Sequence, residues 1–134
     1  MPTMVFVNFP VTQLDRSIHF YTSLGFKQNL EFSNDQSAAM MWDDNFWIML
    51  LTHEFYSKFI GSRAIANTQT HSGALIAFSL ESANAVKEFG KLAETNGGTV
   101  YQVDMGIPES IMFGLEVQDP DGNMLEPSWM DINA

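Results

Sequence analysis

Val117-Gln118-Asp119-Pro120-Asp121-Gly122-Asn123-Met124-Leu125-Glu126 reads as strand, tight turn, strand. Pro120 presets φ for the turn, and Gly122 accepts the positive φ that such turns demand. Met41-Trp42-Asp43-Asp44-Asn45-Phe46-Trp47-Ile48-Met49-Leu50 has the same form earlier in the chain. Upstream of each hairpin the pattern also repeats. Met4 to Phe9 is an apolar run rich in β-formers; Thr12 then opens a helical pattern with Leu14, Ile18, Tyr21 and Leu24 along one side. Thr12 and Asp15 have the spacing of a capping box, and Gly25 is the expected stop. In the second half Ala74 to Leu80 is the apolar run, and Ser82 opens a helix with Val86, Phe89, Leu92 and Ala93 inward. Asn96-Gly97-Gly98 ends it. Each half has room for one more strand, near Phe26–Phe32 and Thr99–Val103. The expectation is an α+β fold of two βαβββ modules in one domain over residues 1–134. Module one covers about 2–52, a connector 53–72 and module two about 73–129, with a short connector helix at Phe55–Ile60.

Composition narrows the function. The 134 residues are 46% hydrophobic and 16% charged, which argues against disorder and for one buried core. Six Lys plus Arg against sixteen Asp plus Glu give a net charge of −10. That balance disfavours nucleic acid, whose affinity comes from cationic contacts to phosphate, and equally disfavours an anionic membrane surface. Zero cysteines exclude disulfides, thiolate nucleophiles and Cys-based metal sites. No apolar run reaches the roughly 18 residues of a membrane span. The opening Met1-Pro2-Thr3-Met4-Val5 lacks the basic start of a signal peptide, so a cytoplasmic setting is expected.

Val11-Thr12-Gln13-Leu14-Asp15-Arg16-Ser17-Ile18-His19-Phe20-Tyr21, followed by Leu24-Gly25-Phe26, resembles the opening of the vicinal oxygen chelate superfamily. That group contains glyoxalase I, extradiol dioxygenases and the fosfomycin and bleomycin resistance proteins. Asp119 to Glu126 resembles its closing hairpin. Phe6 to Val11, Met49 to Glu54 and Glu126 to Asp131 are similar to a bacterial subgroup of predicted lactoylglutathione lyases. The resemblance implies paired curved sheets around a central cavity, a homodimer, and one divalent metal on four inward side chains. Carried onto this chain, those four positions fall on Phe6, Leu50, Ala74 and Glu126. Only Glu126 is a ligand type, whereas a catalytic metal site normally has about three protein ligands. A one-residue shift would substitute Val5 or Val7, Met49 or Leu51, and Gly73 or Leu75, none of which ligates metal by its side chain. No metal and no cofactor are therefore expected, and enzymatic activity is left open.

Glu126 is the leading candidate. Alternation of Met124, Glu126 and Ser128 puts it on the concave face, where Phe6, Leu50 and Ala74 are also expected to point. It is expected to act as general base or as polar anchor for a ligand; the structural alternative is a bond to Asn8 or a backbone amide. Asn8, two residues beyond Phe6, is a candidate orienting group, and Thr52, two beyond Leu50, a weaker one. Trp47 and Trp129, with Trp42, Phe55, Tyr56, Phe59 and Phe113, are candidate apolar walls. His19 is expected to face solvent; His53, His71 and Glu126 form the alternative, rearranged metal set. The expected function is binding of a small, apolar or mixed-polarity molecule, with Glu126 as anchor. The alternative is a lactoylglutathione lyase-like lyase or isomerase with Glu126 as base.

Overall fold

The helix and strand periodicities repeat, and so does the fold they build. The computed structural model describes residues 2–133; Met1 and Ala134, the outermost residues of the expected domain, lie outside the described residues. The chain forms two compact units, Met1–Asn67 and Thr68–Ala134.

In the first unit β1 (Val5–Val11) leads to α1 (Leu14–Ser23), β2 (Lys27–Asn29), β3 (Ser37–Met41) and β4 (Phe46–Thr52), and α2 (His53–Ser57) follows. The sheet order is β1-β4-β3-β2, with β1 parallel to β4. In the second unit β5 (Leu75–Ser79) leads to α3 (Ala83–Thr95), β6 (Thr99–Tyr101), β7 (Met112–Gly114), β8 (Glu116–Gln118) and β9 (Met124–Met130). The order is β5-β9-β8-β6, β5 is parallel to β9, and β7 also pairs with β9. The expected βαβββ pattern thus occurs twice, with the middle strand of the second copy broken at Leu115 into β7 and β8, and each time the first and last strands are adjacent and parallel. Among the described residues no helix is long and apolar enough to cross a membrane.

Each helix covers one face of its own sheet. α1 packs on β3 and β4, burying Phe20, Tyr21 and Leu24 with Phe9, Met40, Ile48 and Leu50. Tyr21 meets Phe20 and Phe26 edge-on, with ring centroids 5.1 and 5.3 Å away. α3 packs on β6, β7 and β9, burying Val86, Phe89 and Ala93 with Phe113, Val117 and Leu125. Full burial of one such side chain stabilises by about 1.5–3 kcal/mol, so each of these faces stabilises its own unit. Both helices end alike. Phe26 N–H bonds Tyr21 O across Gly25, and Gly98 N–H bonds Ala93 O across Gly97, at 3.1 and 2.8 Å.

The helix starts differ from one another. Ser82 caps α3 by accepting from Ala85 N–H at 3.0 Å. The N-cap of α1 is Gln13 instead of the expected Thr12, whose hydroxyl accepts from Arg16 at 3.1 Å. The connector helix lies at His53–Ser57, slightly ahead of its expected place.

Both hairpin turns are organised by an aspartate accepting from backbone N–H groups. Asp43 Oδ1 takes those of Asn45 and Phe46, each at 2.8 Å. Asp119 Oδ1 takes those of Asp121 and Asn123, each at 2.9 Å, and its Oδ2 takes the Asn123 side-chain amide at 3.0 Å. Asp119, Asp121 and Asn123 are buried. A strap of chain crosses this turn: Thr68 donates to Asp121 O, and Gln69 Nε2 donates to Pro120 O at 3.0 Å. The turn acids are structural, as their turn chemistry leads one to expect.

Candidate functional site

The hairpin around Asp119 sets which side chains stand opposite each other. β7 and β8 run against β9 in one continuous register. Gly114 faces Ser128, Val117 faces Leu125, and Leu115 N–H bonds Pro127 O at 3.2 Å between them. That register puts Glu116 directly opposite Glu126. On the other flank Tyr101 of β6 stands opposite Glu116, and Ala77 of β5 stands opposite Glu126. One row therefore crosses the sheet as Tyr101, Glu116, Glu126, Ala77. Leu115 lies against Gly90 of α3, so strand alternation places Glu116, Glu126 and Ser128 on the sheet face away from that helix.

Two carboxylates directly opposite repel, and both offer only acceptors when ionised. Burial and the facing carboxylate raise the proton affinity of one of them. Glu116 is raised from 4.5 to about 7, first by desolvation, then by a side-chain hydrogen bond with Glu126, and then by the Glu126 charge. A hydrogen bond between two carboxyl groups requires a proton on one of them, and Glu116 is the one whose proton affinity is raised. Oε2 of Glu116 is buried and meets no hydrogen-bond donor among the described residues. Near neutral pH Glu116 is poised between its neutral and its charged form.

This pair lies in a concavity of about 390 Å³ within the second unit. Apolar wall comes from Val103, Met105, Ile107 and Met112, and Ser128 and Gln102 add polar edges. Val103, Met105 and Ile107 belong to the long segment between β6 and β7 and are exposed. The far end of that segment is tied to α3. Lys87 pairs with Glu109 at 2.5 Å and lies over the Phe113 ring at 5.2 Å. Among the described residues no Lys, Arg or His lines the concavity; Asp104, Glu116 and Glu126 are its ionisable residues.

Of the residues singled out from sequence, Glu126 stands at the centre of this face. Asn8 and Phe6 share the open face of the first unit, where Asn8 is opposite Met49 and Phe6 opposite Trp47. Trp47 is buried between Phe6 and Phe32, at centroid distances of 5.3 and 5.8 Å, and its Nε1 donates to Asp44 O at 3.2 Å. Four placements need correction. Leu50 is fully buried opposite Phe9, so it belongs to the side covered by α1 and not to the open face. Thr52 stands opposite Val11 on that same side and spends its hydroxyl as the N-cap of α2, accepting from Phe55 N–H at 3.3 Å. Ala74 precedes β5; Ala77 is the β5 residue opposite Glu126. Trp129 stands opposite Phe113, which lies under Lys87 of α3, so it is on the opposite face from Glu126. His19 is exposed on α1, as expected. Glu116 is the site residue that the sequence reading missed.

These placements bear on the metal that the family resemblance implies. The open-face strand residues nearest the implied ligand positions are Phe6 and Met49 in the first unit, and Leu75 and Glu126 in the second. No group of three His, Cys, Asp or Glu side chains among the described residues is arranged to hold a metal ion. The donor set does not fit a resident divalent ion of the kind the resemblance implies.

The fold has many solved counterparts. A hypothetical protein from S. aureus, SA1046, is 20% identical, with a TM-score of 0.76 over 96% of this chain and 95% of that one. A glyoxalase/bleomycin resistance protein/dioxygenase family enzyme from Burkholderia phytofirmans is 16% identical, with a TM-score of 0.73 over 97% and 100%. The fosfomycin resistance protein FosX from Listeria monocytogenes is 12% identical, with a TM-score of 0.68 over 98% and 94%. At these identities the likeness shows the fold alone. No curated protein matches the sequence. The family model described as Glyoxalase/Bleomycin resistance protein/Dioxygenase superfamily matches residues 3–126, nearly the whole chain, and the chain belongs to that superfamily.

Proposed function

We propose that this protein binds a small molecule of mixed polarity in the concavity of its second unit, with Glu126 as the polar anchor. The observation that carries this reading is the Glu116–Glu126 pair in a hollow of about 390 Å³ with exposed apolar walls. That volume falls in the range of small-molecule sites, which combine apolar lining with a few polar groups. A homodimer in the cytoplasm is part of the same reading and rests on the family resemblance and the composition.

A fragment screen followed by amide chemical-shift mapping tests it. Hits are expected to perturb Val103, Met105 and Ser128 together, and Glu126→Gln is expected to weaken them by about tenfold, or ~1.4 kcal/mol. Hits that bind wild type and Glu126→Gln equally well would remove Glu126 from the site. A second reading is favoured by one feature, the proton affinity of Glu116 raised to about 7. In it Glu126 takes a proton from carbon beside a carbonyl and Glu116 delivers one to the carbonyl oxygen. Turnover of the hemithioacetal of methylglyoxal and glutathione, abolished by Glu126→Gln, would select this lyase-like reading over simple binding.

A further inference from the structure

Three features of the second unit's open face bear on which molecule it takes. The first is the sign of its charge. Asp104, Glu116 and Glu126 line the concavity, and among the described residues no cationic side chain does. The second is the strand register, which brings Glu116 and Glu126 together at one point of the wall instead of spreading them around the rim. The third is the buried Oε2 of Glu116, an acceptor without a donor among the described residues. A buried acceptor left unmatched raises the cost of ionising Glu116, and a cation beside the pair offsets that cost. An anionic ligand would meet like charge there. A neutral ligand would leave a second negative charge uncompensated whenever the pair loses its proton.

We propose that the ligand is a small organic monocation, a protonated amine on an apolar body, whose ammonium group sits against the Glu116–Glu126 pair. This rests on the binding reading above and names its ligand class. The ammonium N–H groups donate to both carboxylates, the proton leaves to solvent, and the apolar body lies along Val103, Met105 and Ile107. Charge balances: Glu116 gives up its proton as one positive charge arrives. Affinity therefore rises with pH through neutrality. The ionisable groups around Glu116 are Glu126 from β9, Tyr101 from β6 and Asp104 from the loop; β5 contributes only Ala77. Lys87 is on the α3 side.

The test uses three matched probes on the full chain: 2-phenylethylamine, 2-phenylethanol and 3-phenylpropionate. Each is titrated at pH 7.5, with amide shifts of Gly114 and Ser128 as the readout. The amine is expected to bind at least about tenfold tighter than the alcohol, and the carboxylate not to bind. Calorimetry of the amine in two buffers of different ionisation enthalpy is expected to show proton release, which Glu116→Gln abolishes. A chain of net charge −10 attracts any cation weakly. Glu126→Gln changes that background by one charge only, so a tenfold loss in the variant marks the pair itself. Equal binding of amine and alcohol would overturn the cation assignment and leave the binding reading standing. Amine binding without proton release would overturn the displacement step. Failure of all three probes would overturn this proposal, while fragment hits of other classes mapping to the same residues would keep the binding reading. The wild-type probe series decides the ligand class even if a variant fails to fold.

Discussion

Gly122→Ala is expected to destabilise the second unit by roughly 3 kcal/mol or more, among the largest effects a single methyl group can have. Two causes add. Gly122 has φ +90°, a conformation that L side chains rarely adopt. A Cβ there would also collide with the Thr68 carbonyl, and this is backbone that no rotamer change can move away. Relief requires lifting the Thr68–Gln69 strap off the turn, which breaks the bonds to Asp121 O and Pro120 O. Gly61→Ala is the control. Its φ is +65°, but nothing lies within 4 Å of its Cβ position, so it carries the backbone strain alone, about 1 kcal/mol. Urea titrations of both variants compare the two. Losses of similar size would show that the strap does not press on the turn.

Glu116→Gln is expected to stabilise the protein above neutral pH. Because Glu116 is raised from 4.5 to about 7 in the folded chain, the folded state holds a proton there that the unfolded state has already lost. The stabilisation associated with that proton is complete below about pH 4.5 and disappears as pH rises through about 7. Above that, wild type carries two opposed carboxylates. The full shift would correspond to ~3.4 kcal/mol, but Glu116 is only partly buried, and solvent screening reduces the expected difference to roughly 1–2 kcal/mol at pH 8. The substituted side chain cannot ionise, and its amide donates to Glu126. The variant is expected to match wild type at pH 4 and exceed it at pH 8 in thermal or urea unfolding. A difference independent of pH would mean that the two side chains do not interact.

Much of this architecture could be read from the chain because its signals are local and occur twice. Asp119-Pro120-Asp121-Gly122 encodes its own turn, the helical faces of α1 and α3 repeat at similar spacing, and both sheets adopt one strand order. The facing of strand residues was harder to read. A position reached by counting from a distant motif carries a one-residue uncertainty, and one residue reverses the side a strand residue points to. That is why Leu50 turned out to lie beneath α1, and why Ala74 fell short of β5. Thr52 was placed by counting two residues on from Leu50 and shares its reversal, whereas Trp129 followed from composition and not from register. Glu116 was within reach. Counting outward from the turn pairs Gln118 with Met124, Val117 with Leu125, and so Glu116 with Glu126. The segment between β6 and β7 had no periodicity to read, although it supplies Val103, Met105 and Ile107 to the concavity.

Carbon-detected titration of the glutamate side-chain carboxyls, with the Glu116 resonance assigned by its loss in Glu116→Gln, measures the shared proton directly. The predicted midpoint for Glu116 is about 7. A midpoint near the ordinary glutamate value of about 4.3 would mean that the two carboxyls do not share a proton, and the polar anchor described here would not exist.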